Sequence, residues 1–284
     1  MRQISSTSAI WKEGGVASTD IASLVNCNLR DDENVLVKFG VKLWSKERKM
    51  RKVAELDQGS AEWHAARLKG LGATEASAMV GASYRGFLKP QQVWEEKTGV
   101  VAVESFENEH MARGKRLEPI ARDMYEGLYG WKVPPMNVLH DDYDFVRASL
   151  DGIREDDKLI VEIKACQQTN HEKFLKMQAV NDPMERQQLL AFYFNYYRMQ
   201  ILYQLLITGA NVAHFVGFNE DYKDHKKLAV VEVYPEPGVQ DILLRRVKEF
   251  WKCVEDRVPP TVEWCAYKVG PPDEILHPSK GTIS

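Results

Sequence analysis

The chain has 284 residues, of which 44% are hydrophobic and 28% charged, with 18 Gly and 12 Pro. That fits one large globular domain, or one domain with an appendage, and excludes a collagen-like or wholly disordered chain. The formal net charge of −3 gives no compositional sign of nucleic acid, although a local basic groove is compatible with it. No run approaches the roughly 18 consecutive apolar residues of a membrane span, and residues 1–15 hold no apolar signal core, so a cytoplasmic protein with no membrane partner is expected. Cys27, Cys166, Cys253 and Cys265 are dispersed without a CxxC pair. This argues against a disulfide framework, a zinc ribbon or a clustered iron–sulfur site, and free thiols are expected.

Residues 1–56 read as an N-terminal appendage, partly flexible: 1–20 are rich in Ser, Thr and Gly without periodicity, and 34–44 have strand character. Segment 42–52 sets Lys42, Lys46, Arg48, Lys49, Arg51 and Lys52 against one acid, Glu47. Its ordinary reading is a solvated helix face, and its functional reading is contact with a polyanion. Ser60 is placed to N-cap a helix that Gly70 stops, and a second short helix begins at Thr74. Residues 109–130 form a longer helix, kinked or restarted at Pro119 and ended by Gly130. A strand pair follows, 145–151 and 159–166, joined by the turn-rich Glu155, Asp156 and Asp157. Residues 185–208 read as one long helix closed by Gly209, then come strands near 212–218 and 228–234 and a last helix over about 239–255. The proline-rich segment 259–284 reads as an extended tail, which leaves 57–258 as the main domain. This order gives an α/β domain around a small mixed β-sheet flanked by helices, and the fold class alone does not fix a function.

The strand pair carries the chemistry, because alternation separates two unlike faces. In the first strand Val146, Ala148 and Leu150 point one way and Phe145, Arg147, Ser149 and Asp151 the other. In the second, Leu159, Val161, Ile163 and Ala165 oppose Ile160, Glu162, Lys164 and Cys166. With the apolar faces in a common core, Asp151, Glu162 and Lys164 converge on the other side. Two carboxylates and an ammonium on a half-buried sheet are expensive to desolvate, and a metal ion is a natural compensation. Hard cations such as Mg²⁺ take oxygen ligands and keep waters that a phosphate can replace. Taken alone, the commoner origin of such a pattern is an exposed strand edge with a salt-bridged Glu and Lys.

GSAEWHAARLKGLGATEAS (59–77), GKRLEPIA (114–121), RASLDGI (147–153), VEIKAC (161–166) and YYRMQILYQLLITG (196–209) occur in this order. Together they resemble the lambda exonuclease family, the YqaJ-like viral recombinases of the PD-(D/E)XK nuclease superfamily. The resemblance spans about 59–218 and implies a PD-(D/E)XK restriction-endonuclease-like core. It also implies a metal-dependent 5'-to-3' exonuclease acting on linear double-stranded DNA ends, which leaves 3' single-stranded overhangs for phage-type recombination by strand annealing.

On matching positions, the resemblance makes Asp151, Glu162 and the Ile163 carbonyl metal ligands and Lys164 the catalytic lysine. Glu118 becomes a further acid at a second metal, with Pro119 beside it altering the local helix. Gln200 matches the glutamine of a Tyr-x-x-Gln motif whose tyrosine is Tyr197, and Gln204 follows one turn on. Tyr197 and Gln204 join Lys46, Lys49, Arg51 and Lys52 as candidate DNA contacts. Arg67, Thr74 and Ser149 match a pocket for a 5'-terminal phosphate; without the resemblance, Thr74 reads as an N-cap and Arg67 as a surface residue. The implied cofactor is Mg²⁺, with Mn²⁺ as the alternative, as two ions. The implied partners are DNA ends, a single-strand annealing protein and further copies in a homotrimeric ring, within a phage or prophage setting in a bacterial cytoplasm. Two rivals remain: a structure-selective or restriction-type endonuclease on the same fold, and a non-catalytic DNA-end-binding scaffold. The second has no need of Asp151, Glu162 and Lys164 together, and the dispersed cysteines disfavour a helicase-associated iron–sulfur nuclease.

Overall fold

A computed structural model describes residues 50–53, 60–83, 88–101, 108–156 and 158–261. Lys46, Lys49, the strand expected near 34–44, Cys27, Cys265 and nearly all of the expected tail lie outside the described residues. Arg51–Val53 is a β-strand (β1) rather than the end of a basic helix face, and it precedes the expected domain start at 57.

Helix α1 (Ala61–Leu68) begins where expected, with the Ser60 hydroxyl accepting from the Trp63 N–H at 3.1 Å. Helix α2 (Ala73–Met79) differs at its start: Gly72 is the N-cap, and Thr74 is already inside the helix. The cap forms through Glu75, whose Oε2 accepts from the Gly72 N–H at 2.8 Å, so no Thr74 hydroxyl is needed there. Helix α3 (Pro90–Thr98) follows and ends at Gly99, with φ +72°. Helix α4 (Glu109–Tyr129) runs unbroken through Pro119, so the expected kink or restart does not occur. Leu117, Ala121 and Tyr125 anchor it in the core, while Pro119 lies on the exposed side, where water can take the carbonyl that proline leaves unbonded. It ends at Gly130, in the left-handed region.

The expected first strand is interrupted at Asp151. Its front part, β3 (Arg147–Leu150), joins β1 and β2 (Met136–Leu139) in an antiparallel sheet of order β1-β2-β3. Its continuation, β4 (Gly152–Arg154), pairs antiparallel with β5 (Leu159–Ala165) in a second sheet. Past the break the chain passes so close to Val133 that a Cβ on Gly152 would meet its backbone and side chain at 3.0 Å. The Ile153 N–H also turns to the Pro134 carbonyl, at 3.0 Å. Helices α5 (Gln168–Gln178) and α6 (Pro183–Thr208) cross over to β6 (Val212–Phe218), which runs parallel to β5. Strand β7 (Leu228–Val233) is antiparallel to β6, and α7 (Pro237–Glu255) closes the described domain. The second sheet, ordered β4-β5-β6-β7, is therefore mixed, as expected. Helix α6 departs from a single continuous helix at Phe194 (φ −143°, ψ 43°), whose ring joins those of Phe174, Tyr197 and Phe215 in one aromatic cluster.

The alternation in β5 sorts its side chains between two cores. Leu159, Val161 and Ile163 pack with Leu117, Ala121 and Tyr125 of α4, while Ile160 belongs to the larger core with α2, α6 and α7. Val146, Ala148 and Leu150 join that larger core too, so the common core expected for the two apolar faces does not form. The sheet is thus covered on both faces, as parallel pairing with crossover helices requires. The solvent-exposed Glu–Lys pair of the ordinary reading does not form, because Glu162 is 3% exposed. Cys166 and Cys253 are free thiols, and no described helix is long and apolar enough to cross a membrane.

Two stability measurements check this packing. A Cβ at Gly217 would sit 2.5 Å from the ring of the fully buried Phe174, so Gly217→Ala should lose about 1–3 kcal/mol in urea unfolding. The His214 Nδ1 lies 2.7 Å from the Tyr125 hydroxyl, and burial pushes its pKa from 6.5 down to about 4. The unfolded imidazole takes a proton across that window and the folded one does not. Stability from this source is therefore complete above pH 6.5 and is lost as the pH falls towards 4, by about 3 kcal/mol in all. His214→Gln should flatten that part of the stability–pH curve.

Candidate active site

Strand β5 carries the site because β4 pairs with it only as far as Val161. Beyond that point β6 lies along one edge of β5 and the other edge is open to the bend at Asp151. The Ile163 N–H uses this edge to donate to Asp151 Oδ2 at 2.7 Å. Since the N–H and C=O of one residue in an extended strand point to the same edge, the Ile163 carbonyl lies on the Asp151 side as well. Glu162 and Lys164 share a face of the strand, and the Lys164 Nζ sits 2.5 Å from Glu162 Oε1. The three residues expected to converge are therefore brought together.

Their electrostatics show an excess of acid. Burial and then repulsion from Glu162 push the Asp151 carboxyl well above its ordinary range, with Glu118 adding to the shift. The Lys164 ammonium and the Ile163 N–H pull the other way. Burial also opposes the charge on Lys164, but Glu162 and then Asp151 outweigh it and hold the ammonium above the usual lysine range. Glu118 approaches from α4 and is paired with Arg122 at 2.5 Å. Arg122 Nε also donates to the Asp151 carbonyl at 2.8 Å, so one guanidinium ties the helix to the break between the sheets. Among the described residues no three His, Cys, Asp or Glu side chains are grouped so as to hold a metal ion. The arrangement is a buried carboxylate, Glu162, and a half-buried one, Asp151, beside a backbone carbonyl.

One face of α6 supports this centre. The Tyr197 ring lies beneath the Lys164 ammonium, 5.1 Å from centroid to Nζ. Gln204 Nε2 donates to Glu162 Oε2 at 2.6 Å, and Gln200 Nε2 donates to the Thr74 hydroxyl at 2.5 Å. Gln204 is 2% exposed and faces the carboxylate rather than a surface where DNA could lie.

The residues expected to bind a terminal phosphate are partly assembled. The Arg67 Nη2 lies 3.2 Å from Glu75 Oε1, next to Thr74, and its guanidinium stacks 4.9 Å from the Trp63 ring centroid. Ser149 is exposed on β3, and its hydroxyl donates to Asn137 Oδ1 at 2.6 Å rather than to a partner in the Arg67–Thr74 group. Of the basic residues expected at DNA, Arg51 pairs with Asp144 at 2.6 Å and Lys52 with Glu155 at 2.7 Å.

The YqaJ-like viral recombinase domain model matches residues 62–211, just over half of the chain. The chain belongs to the YqaJ-like viral recombinase family. The motif resemblance to lambda exonuclease is borne out by this match. The YqaJ protein of Bacillus subtilis (strain 168) is 32% identical over 111 residues, which is 38% of this chain and about a third (34%) of that relative's length. Among solved structures, the alkaline exonuclease LHK-Exo of Laribacter hongkongensis matches with TM-score 0.56 and 21% identity, over 70% of this chain and 94% of that one. Its complex with dAMP matches at 0.55 and 20%, with the same coverage. A phage-related exonuclease from Haemophilus somnus 129PT matches at 0.50 and 14%, over 66% of this chain and 94% of that one. At these identities the likeness establishes the fold, a PD-(D/E)XK-like α/β core with small sheets flanked by helices.

Sequence reasoning missed the part played by Arg122, by Gln204 as the holder of Glu162, and by Lys97 of α3, whose Nζ reaches Glu75 Oε1 at 2.7 Å. Spacing flags Arg122, one turn after Glu118, and Gln204, one turn after Gln200. No local pattern flags Lys97. The Gln204 amide is the one side-chain donor recorded on Glu162 Oε2 among the described residues. Gln204→Leu should therefore cost about 1–3 kcal/mol in urea unfolding at pH 7, and the loss should shrink when Glu162→Gln is added.

Proposed function

We propose that the chain is a divalent-metal-dependent nuclease that degrades linear duplex DNA from 5' ends and leaves 3' single strands. The observation that carries this reading is the convergence of Asp151, Glu162 and Lys164 at the open edge of β5, where two carboxylates face one ammonium. That imbalance suits a hard cation held by few protein oxygens, which is how Mg²⁺ is commonly bound beside phosphates. Asp151, Glu162 and the Ile163 carbonyl would hold Mg²⁺ or Mn²⁺, with Glu118 near a second ion, and the metal would supply Lewis acidity and an acidified water.

The chain's own residues do the rest. The Lys164 ammonium, fixed between Glu162 and the Tyr197 ring, offsets charge growing on the phosphate and orients the attacking water. Gln204 keeps Glu162 from rotating away. Because the Thr74 hydroxyl accepts from Gln200, its own proton is left to donate, and with the half-exposed Arg67 it would hold a 5'-terminal phosphate. Ser149 joins them by a rotamer change away from Asn137. A terminal-phosphate site gives the digestion its polarity, since each cut presents the same group again. Release of nucleoside monophosphates accords with the dAMP bound in the Laribacter enzyme. The 3' strand left behind is a substrate for a single-strand annealing protein, and assembly into a homotrimeric ring would enclose the duplex.

Digestion of linear duplexes with 5'-phosphate or 5'-hydroxyl ends, alongside a closed circle, in Mg²⁺ and in EDTA, tests the reading. Only the linear forms should disappear, only with metal, and the phosphorylated one faster. Lys164→Ala should lower cleavage by about 100-fold or more while end binding persists. Cutting of the circle would favour an endonuclease, and no cutting at all would favour a DNA-end-binding scaffold.

A further inference from the structure

Glu75 directly follows Thr74 and is an awkward neighbour for an anion. Its side chain is 5% exposed, and a bare carboxylate there would repel a phosphate and capture Arg67. Both of its oxygens are instead occupied from within the fold. Oε2 accepts from the Gly72 N–H at 2.8 Å, and Oε1 is held by Lys97 Nζ at 2.7 Å, closer than Arg67 Nη2 at 3.2 Å. The Lys97 side chain is only 2% exposed, and its ammonium also donates to the Arg67 carbonyl at 2.7 Å. Burial pulls the Lys97 pKa down, and Glu75 is the main influence opposing that. The nearby Glu96 carboxyl is pushed up by burial and then by Glu75, so it adds acid rather than a counter-charge, and Lys97 is the nearer of the two cations on Glu75.

We propose that Lys97 is a positioning residue for terminal-phosphate recognition: it neutralises Glu75 from the buried side, so that the half-exposed Arg67 guanidinium stays available to an incoming phosphate. The proposal rests on the reading of Arg67 and Thr74 as a 5'-phosphate pocket. Specificity then arises partly from a lysine that touches no DNA. Without its charge, Glu75 turns wholly to Arg67, and the pocket loses its cation and gains a repulsive neighbour.

The test is the ratio of dissociation constants for 5'-hydroxyl and 5'-phosphorylated duplex ends in EDTA, where no cleavage is needed. The wild-type protein should prefer the phosphorylated end. In Lys97→Met, which keeps the unbranched stem, the preference should fall about tenfold while affinity for the hydroxyl end stays within about threefold. Adding Glu75→Gln to Lys97→Met should restore most of the preference, because the repulsive charge is gone. Glu75→Gln alone should keep the preference and gives a readout even if Lys97→Met folds poorly. An unchanged preference in Lys97→Met, an equal loss for both ends, or no rescue by Glu75→Gln would overturn the role of Lys97 and leave the pocket standing. A wild-type protein indifferent to the terminal phosphate would remove the pocket itself, and the role of Lys97 with it.

Discussion

Charge brought out of water at the open edge of β5 is the constraint around which this domain is arranged. Asp151 and Glu162 lose hydration that Lys164 only partly replaces, and each remaining contact reduces the deficit by one hydrogen bond. The Ile163 N–H can serve Asp151 because β4 is too short to claim it, and Gln204 can serve Glu162 because α6 packs directly over the sheet. Arg122 holds Glu118 and the Asp151 carbonyl together, so α4 is fixed to the same point from the opposite face. The paired cores then act as walls, keeping water from solvating the carboxylates in place of these donors.

Much of this was legible because β-alternation and motif order are local signals. Alternation within each strand was read correctly, but the two apolar faces enter different cores, and Asp151, Glu162 and Lys164 meet because the chain bends at Asp151 rather than because those faces share one core. Left-handed glycines ended helices where expected, at Gly130 and Gly209. The break after Leu150 was hidden, because the contacts that accompany it, Val133 against Gly152 and the Pro134 carbonyl on Ile153, come from another part of the chain. Helices α3 and α5 bury only three side chains each, too few for periodicity to declare them. Pro119 misleads because sequence does not say which side of α4 faces water.

Side-chain partnerships across elements were the least legible. Lys97 stands 22 residues from Glu75, and Gln200 stands 126 from Thr74, so neither pair leaves a trace in spacing. The residues that do chemistry are marked by type and motif. Those that hold them in place are ordinary lysines and amides whose significance comes only from where the fold delivers them.

The two amides of α6 also set a length. Gln200 holds Thr74 and Gln204 holds Glu162, and four residues of α-helix separate their origins by about 6 Å along the axis. Both lie beyond the irregularity at Phe194, on the regular part of the helix. The hydroxyl and the carboxylate are therefore tied through side chains to adjacent turns of one helix. Any group that bridges those two points meets a separation set by neighbouring turns of one helix rather than by a loop.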